Sequence, residues 1–511
     1  MTALDRKDYL QLAALVALAA CARLYRLGEA SLWLDEVFTL RMASLPWREL
    51  WEPVYTPVNA VPPLYFSLLH PLVHEGIDPW LLRLPGALLG TATVVLVYLV
   101  TRHLWDRRAA LFTGLLLALS MANIEYSQEA RSYVLVSFCI GLSFLGIMQL
   151  EARWPAQGQG LQPGPFLRRG GALYAVGLLA ALLSHNTAVF YWLGAQCFFL
   201  AWWSLALDRQ RAVLLGWILV NLVVLIAWSP WLLASLEVSG TSVLGHFRQP
   251  SPLRAASTWA FVNGVQLSRE TNIPLALVSL SLMLWGLWCL RRNRVMLLAF
   301  AAMILCSSLL TWAFGFISTP VFIKKTILWG SLFSLPLMGI GIAGLGRRWD
   351  VFALAALLVV AAAGFWNYNR NDWAENQDWH SAVAVLEKGV RPGDTILLRN
   401  TSINRPFLYH MPAAADLPLL GWNCREGGLY AGQVVRDLSQ RRAQWRRNPS
   451  ALGAAAGRAL WVVESHCYSQ EHRGAIDARI ARRWYAAGSH RFRNVRVYRW
   501  APRERRAGQP D

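Results

Sequence analysis

Charge is scarce in this chain: only 15% of its 511 residues are Asp, Glu, Lys or Arg. A water-soluble protein of this size carries about a quarter. Lysine is nearly absent, with Lys7, Lys324, Lys325 and Lys388 against 49 basic residues in all. There is no internal repeat, no phosphate-binding glycine loop and no cysteine cluster with zinc spacing. These absences exclude an ordinary cytosolic enzyme, a fibre and a disordered chain, and they give no support to a nucleotide-sugar donor. What is present is apolar: 55% of the residues are hydrophobic and 26 are Trp, a side chain that favours the membrane–water boundary. The formal net charge of +19 suits anionic lipid or a phosphate-bearing substrate; the apolar runs make nucleic acid the poorest partner.

Uncharged apolar runs recur as far as residue 366 and predict an α-helical polytopic membrane protein with about eleven transmembrane helices, at 9–26, 84–102, 109–124, 132–150, 171–185, 187–207, 212–235, 273–290, 295–314, 326–346 and 350–366. Basic residues cluster at every second connection: Arg6/Lys7, Arg102/Arg107/Arg108, Arg153/Arg168/Arg169, Arg209/Arg211, Arg291/Arg292/Arg294 and Arg347/Arg348. Short basic loops stay in the cytoplasm, so the N-terminus is expected inside and the tail outside. Residues 1–366 therefore read as a transmembrane domain with an external loop at 27–83, and 236–272 as a second external segment. Residues 367–511 read as an extracytoplasmic α/β domain, with 23 basic against 13 acidic residues. Its strand-like runs are 394–400, 459–467 and 495–500, after an amphipathic stretch from Trp379 to Leu386. The stretch 156–166 reads as a Gly/Pro-rich cytoplasmic linker. Cys424 and Cys467 fall in the external domain, where an oxidising compartment permits a disulfide. "LAAC" at 18–21 has the look of a lipoprotein cleavage site, but a first span explains it as well.

Asp35 and Glu36 follow the first span directly, beside Trp33 and Leu34. A carboxylate at that boundary is either a solvated interfacial group or a partly desolvated general base. Pro57, Pro62 and Pro63 then read as a rigid re-entry. Asp35-Glu36, "PPLY" at 62–65, "RLPGALLG" at 83–90, "IEYSQEARSYVL" at 124–135 and "DWHSAVAVLEKGVRPGDTILL" at 378–398, in that order, resemble the GT-C superfamily of polytopic glycosyltransferases. Within it the chain is most similar to the bacterial form of the protein O-mannosyltransferase and aminoarabinose-transferase branch. Two positions depart from the family pattern: Val61 replaces a His before the Pro-Pro pair, and Lys324-Lys325 replaces an Arg-Tyr.

The resemblance implies transfer of a sugar from a polyprenyl-phosphate carrier to an acceptor hydroxyl on a lipid, glycan or protein, at the outer face of the bacterial inner membrane. Such chemistry needs one carboxylate base and cations at the leaving phosphate, and a single carboxylate implies inversion. Asp35 matches the family's catalytic acid, with Glu36 orienting it or binding acceptor. Arg131, Lys324 and Lys325 are the candidate phosphate ligands, with Glu129 and Gln128 positioning Arg131 or the sugar. Each cation also has a plain reading, as a snorkelling anchor or a headgroup contact. Arg83 reads more as an anchor than as a ligand, and His185 as a turn residue before a substrate ligand. His70, His74 and Glu75 hold metal-like spacing without a clear third ligand, so no metal or other cofactor is implied, although a divalent ion stays open. A transporter or lipid flippase is the alternative function. It would place ionisable residues in mid-span, whereas these charges lie at span ends.

Overall fold

The computed structural model describes residues 4–53, 61–74, 76–151, 170–205, 211–238, 249–268, 272–318, 320–370, 377–424, 427–435, 442–455, 458–465, 467 and 470–503. The linker at 156–166 and Glu75 lie outside the described residues. The chain gathers into two compact units: one holds 1–27, 47–69 and 83–373, the other 28–46, 70–82 and 374–511. The external loop at 27–83 is thus divided between them.

The first unit is helical. A helix coincides with each of the eleven apolar runs, but only six of the described helices are long and apolar enough to cross a membrane, or seven if one bent pair counts as a span. Val213–Glu237, Ile273–Arg292 and Trp349–Arg370 turn most of their apolar side chains outward, including Ile218, Leu222, Ile226, Leu277, Val351 and Val359. That is the pattern of helices solvated by lipid tails. Tyr133–Leu150 is instead enclosed by the others. Polar groups inside satisfy one another: Asn221 Oδ1 accepts from the Tyr174 hydroxyl at 2.9 Å, Trp192 Nε1 at 2.6 Å and Gln196 Nε2 at 2.9 Å, tying three helices together.

Three local features depart from the expected spans. The run at 109–124 is not straight: Arg107–Ala118 and Met121–Ser127 meet at a 55° bend. Ser120 takes an extended conformation and starts the second half, and Asn123 Nδ2 donates to Ser120 Oγ at 2.9 Å and Ser331 Oγ at 3.2 Å. The run at 326–346 begins as a turn, a short 3-10 segment and only then helix Ser331–Ala343. Residues 236–272, expected as a loop, contain helix Pro252–Asn263, begun by a Ser251 cap and Pro252.

The second unit is built on a seven-stranded sheet of Thr395–Arg399 (β1), Leu419–Asn423 (β2), Gly428–Val435 (β3), Arg442–Arg447 (β4), Leu460–Glu464 (β5), Trp484–Phe492 (β6) and Val495–Pro502 (β7), in the order β4-β3-β2-β1-β5-β7-β6. β1 runs parallel to β2 and β5, and the outer pairings are antiparallel. β1 and β5 are buried at every position, which is why "TILL" and "LWVV" are continuously apolar. Ile396 and Leu398 pack with Trp379, Leu386 and Phe407 on one face, while Leu397 and Val462 pack with Ile476, Ile480 and Trp484 on the other.

Cys424 and Cys467 form a disulfide with Cα atoms 5.7 Å apart. It closes a separation of 43 residues, and such a closure removes roughly 4 kcal/mol of chain entropy from the unfolded state. Reduction, or Cys424→Ser with Cys467→Ser, should therefore lower the unfolding midpoint of this unit, at a loss of about 2–4 kcal/mol. An unchanged midpoint after confirmed reduction would contradict that role.

Candidate active site

In the helical unit, the second half of the bent pair, Met121–Ser127, delivers the chain to a turn at 128–132. Helix Pro79–Leu104 comes close to this turn because Gly86 and Gly90 carry no side chain. A Cβ on Gly86 would lie 3.0 Å from the Ser127 carbonyl oxygen, and one on Gly90 would collide with the Ser127 hydroxyl. This is the physical content of "RLPGALLG". From the turn, Arg131 reaches the ring of Tyr133, with Cζ 5.7 Å from its centroid.

Lys325 approaches the same ring from another element, with Nζ 5.4 Å from the centroid. Lys324 points elsewhere, its Nζ 4.1 Å from the centroid of Phe261 on helix Pro252–Asn263. The lysine pair sits in a turn pinned by the Thr326 hydroxyl, which donates to the carbonyls of Val321 and, at 2.9 Å, Ile323. Tyr126, Tyr133, Phe261, Phe322 and Ile327 share one buried cluster, so aromatic packing holds the elements that bear the cations. A cation over an aromatic face is attracted electrostatically by the ring.

His185 completes the group, its ring 5.5 Å from that of Tyr133. It is half-buried. Its Nδ1 accepts the Thr187 backbone N–H at 3.2 Å, so the neutral tautomer carries its proton on Nε2 and offers a donor.

The other predicted residues of this unit have different surroundings. Gln128 Nε2 donates to the carbonyls of Arg23 at 3.1 Å and Tyr25 at 2.8 Å. Arg83 is buried and donates to the Leu27 carbonyl at 2.9 Å. Glu129 is buried in the turn beside Arg131, whose N–H donates to the Glu129 carbonyl at 2.8 Å. Sequence reading passed over Tyr133 and Phe261, which hold the cations, and Glu125, a carboxylate only 2% exposed. An acid inside an apolar run was the available signal for Glu125.

In the sheet unit, Asp35 and Glu36 lie in the first turn of helix Leu34–Ala43. Glu36 is fully buried, and its Oε2 accepts the Trp33 N–H at 3.4 Å, a capping contact. Asp35 is half-buried, and its carbonyl accepts the Thr39 hydroxyl at 3.1 Å. The segment before this helix is held by the C-terminal region. Gln377 Oε1 accepts Leu34 N–H at 3.2 Å and Trp379 Nε1 at 2.9 Å, Gln377 Nε2 donates to Ser465 Oγ at 2.6 Å, and His410 Nε2 donates to the Leu32 carbonyl at 2.8 Å. Nothing in the sequence marked Gln377 or His410. His70 donates its Nδ1 proton to the Ala43 carbonyl at 2.8 Å. Among the described residues, no three His, Cys, Asp or Glu side chains gather as metal ligands.

No protein-family model and no curated protein matches the chain. Solved structures do. ArnT from Cupriavidus metallidurans in the apo state aligns with a TM-score of 0.58 and 12% identity over 96% of this chain and 97% of that one. The same enzyme bound to undecaprenyl phosphate aligns with a TM-score of 0.58 and 13% identity, over 97% and 98%. The apo oligosaccharyltransferase of Archaeoglobus fulgidus aligns with a TM-score of 0.51 and 12% identity, over 81% of this chain and 64% of that one.

The comparisons and the helix pattern together give the chain the fold shared by these solved structures.

Proposed function

We propose that this chain is a membrane glycosyltransferase that moves a sugar from a polyprenyl-phosphate carrier to an acceptor hydroxyl, with inversion at the sugar carbon. The observation that carries this reading is the gathering of Arg131, Lys325 and His185 around one aromatic ring, in a fold whose solved example holds undecaprenyl phosphate. Fixed cations at a phosphate stabilise the charge that develops as the sugar–phosphate bond breaks. Lys324 adds a further charge from the same turn, and the His185 Nε2–H is a donor to phosphate or sugar. The acceptor is a lipid, glycan or protein hydroxyl. The setting is the bacterial inner membrane, with the N-terminus cytoplasmic and the sheet unit outside; the Cys424–Cys467 disulfide supports an oxidising compartment for that unit.

Asp35 acts as the base in this scheme. Its carboxylate takes the acceptor proton as the acceptor oxygen bonds to the sugar carbon from the face opposite the phosphate, and the phosphate leaves with the bonding electrons. Glu36 is the weaker candidate because burial and the Trp33 cap already engage it. Its role is to set the first turn that presents Asp35.

The pair separates the two roles by experiment. Asp35→Asn should insert, fold and bind donor, yet lose on the order of 10²–10⁴ in transfer rate. Glu36→Gln should keep most of the rate and the cap, since an amide oxygen still accepts the Trp33 N–H. A dead Glu36→Gln beside a fully active Asp35→Asn would reverse the assignment; two fully active variants would remove the base mechanism.

A further inference from the structure

Arg399 is the buried arginine among the described residues of the sheet unit, and it is paired. Arg399, at the end of β1, meets Glu464 at 2.5 Å and also Asp477, and Arg473 and Arg496 close on Glu464 at 3.3 and 3.5 Å. A second group of arginines in this unit is arranged differently. Arg41 lies in the last turn of helix Leu34–Ala43, Arg405 in the first turn of helix Asn404–His410, and Arg442 opens β4. The two helices pack together, and Asn404–His410 packs on β4. Asn404 Oδ1 accepts the Ala443 N–H at 3.0 Å, which fixes the start of β4 beside Arg405.

The three guanidinium groups feel one another directly. Burial, then the charge of Arg442, lowers the pKa of Arg41; burial, then Arg41 and Arg442, lowers that of Arg405 to about 10. A guanidinium keeps its charge at neutral pH. Each of the three is partly accessible to solvent. Yet the Nε atoms of Arg41 and Arg442 are shut off from water and have no hydrogen-bond partner. Among the described residues, no carboxylate forms an ion pair with any of the three. Like charges brought together and partly desolvated repel one another, and no internal acid offsets the repulsion. An oxyanion with several acceptor atoms does offset it, and the planar fork of guanidinium matches phosphate with two parallel hydrogen bonds.

We propose that Arg41, Arg405 and Arg442 form a phosphate-binding site in the sheet unit, a reading that does not rest on the transfer reading. Two sources supply such a group: free inorganic phosphate, or the phosphate of a lipid headgroup.

The test uses the purified full-length protein and two probes, inorganic phosphate and the soluble short-chain lipid dihexanoyl phosphatidic acid. Each is titrated by calorimetry against chloride at matched ionic strength. The proposal expects the Arg405→Gln/Arg442→Gln variant to bind at least tenfold more weakly than the parent. Arg405→Lys/Arg442→Lys should fall between them, since it keeps charge and loses the fork. Tighter binding of the lipid identifies a headgroup site; equal binding of both probes identifies a free-phosphate site. If the Gln pair does not fold, Arg41→Gln alone should weaken binding in the same direction. Parental affinity in every folded variant, or no binding of either probe to the parent at millimolar concentration, would overturn the proposal.

Discussion

The side-chain amide of Gln377 holds together the part of this protein that presents Asp35. It is 1% exposed, so its three hydrogen bonds have no water to fall back on. One oxygen takes the N–H that opens helix Leu34–Ala43 and the indole of Trp379, and the nitrogen reaches Ser465 just beyond β5. Ser31 fits the same node: its hydroxyl donates to the Gln377 carbonyl at 3.0 Å and accepts the Trp379 N–H at 2.9 Å. A segment that follows helix Arg6–Leu24 in the chain is thereby tied to residues coded more than 340 positions later, the separation of Ser31 from Gln377 being 346. The place is where β2 and β5 diverge on either side of β1, the crevice that open α/β sheets commonly offer to ligands. Here the chain's own loop is anchored beside it.

The helical unit solves a different problem. Cations beside apolar spans are costly unless something offsets the loss of water. Its answer is aromatic: Tyr133 faces Arg131 and Lys325, and Phe261 faces Lys324. The 55° bend after Ala118 and the bare flanks of Gly86 and Gly90 bring the Arg131 turn into place. In the same unit, buried Asp8 takes Arg102 at 3.0 Å and Arg107 at 2.9 Å. Those two arginines, which looked like loop anchors in the sequence, also clamp two helices.

Much of this was legible because lipid imposes a strong pattern. Eleven apolar runs each hold helix, although six or seven pass as full spans by length and composition. The helix starting at Trp379 and strands β1, β5 and β7 were also readable, since buried parallel strands and an amphipathic helix leave clear periodicities. β2, β3, β4 and β6 were not. β4 reads "RAQWRR" and β6 is largely exposed, so neither shows a core-facing run. Arg131, Lys325 and His185 were named from sequence, and the structure brings them together. Gln377, His410, Tyr133 and Phe261 were invisible as site residues because their roles exist only through distant partners. Glu36 was read as orienting Asp35 or binding acceptor, and its complete burial was not visible in the sequence.

The central claim is that the cations around Tyr133 and Phe261 serve a lipid-linked phosphate. The most direct measurement is transfer of radiolabelled sugar from defined polyprenyl-phosphate donors into a membrane extract, with the donor's Kd measured in parallel. Lys325→Ala and Arg131→Ala should each weaken donor binding by about 1.5–3 kcal/mol, the usual worth of a hydrogen bond to a charged group, and slow transfer, with Lys325→Arg milder. Normal donor affinity and normal transfer in both alanine variants would contradict the account and return these residues to the role of membrane anchors.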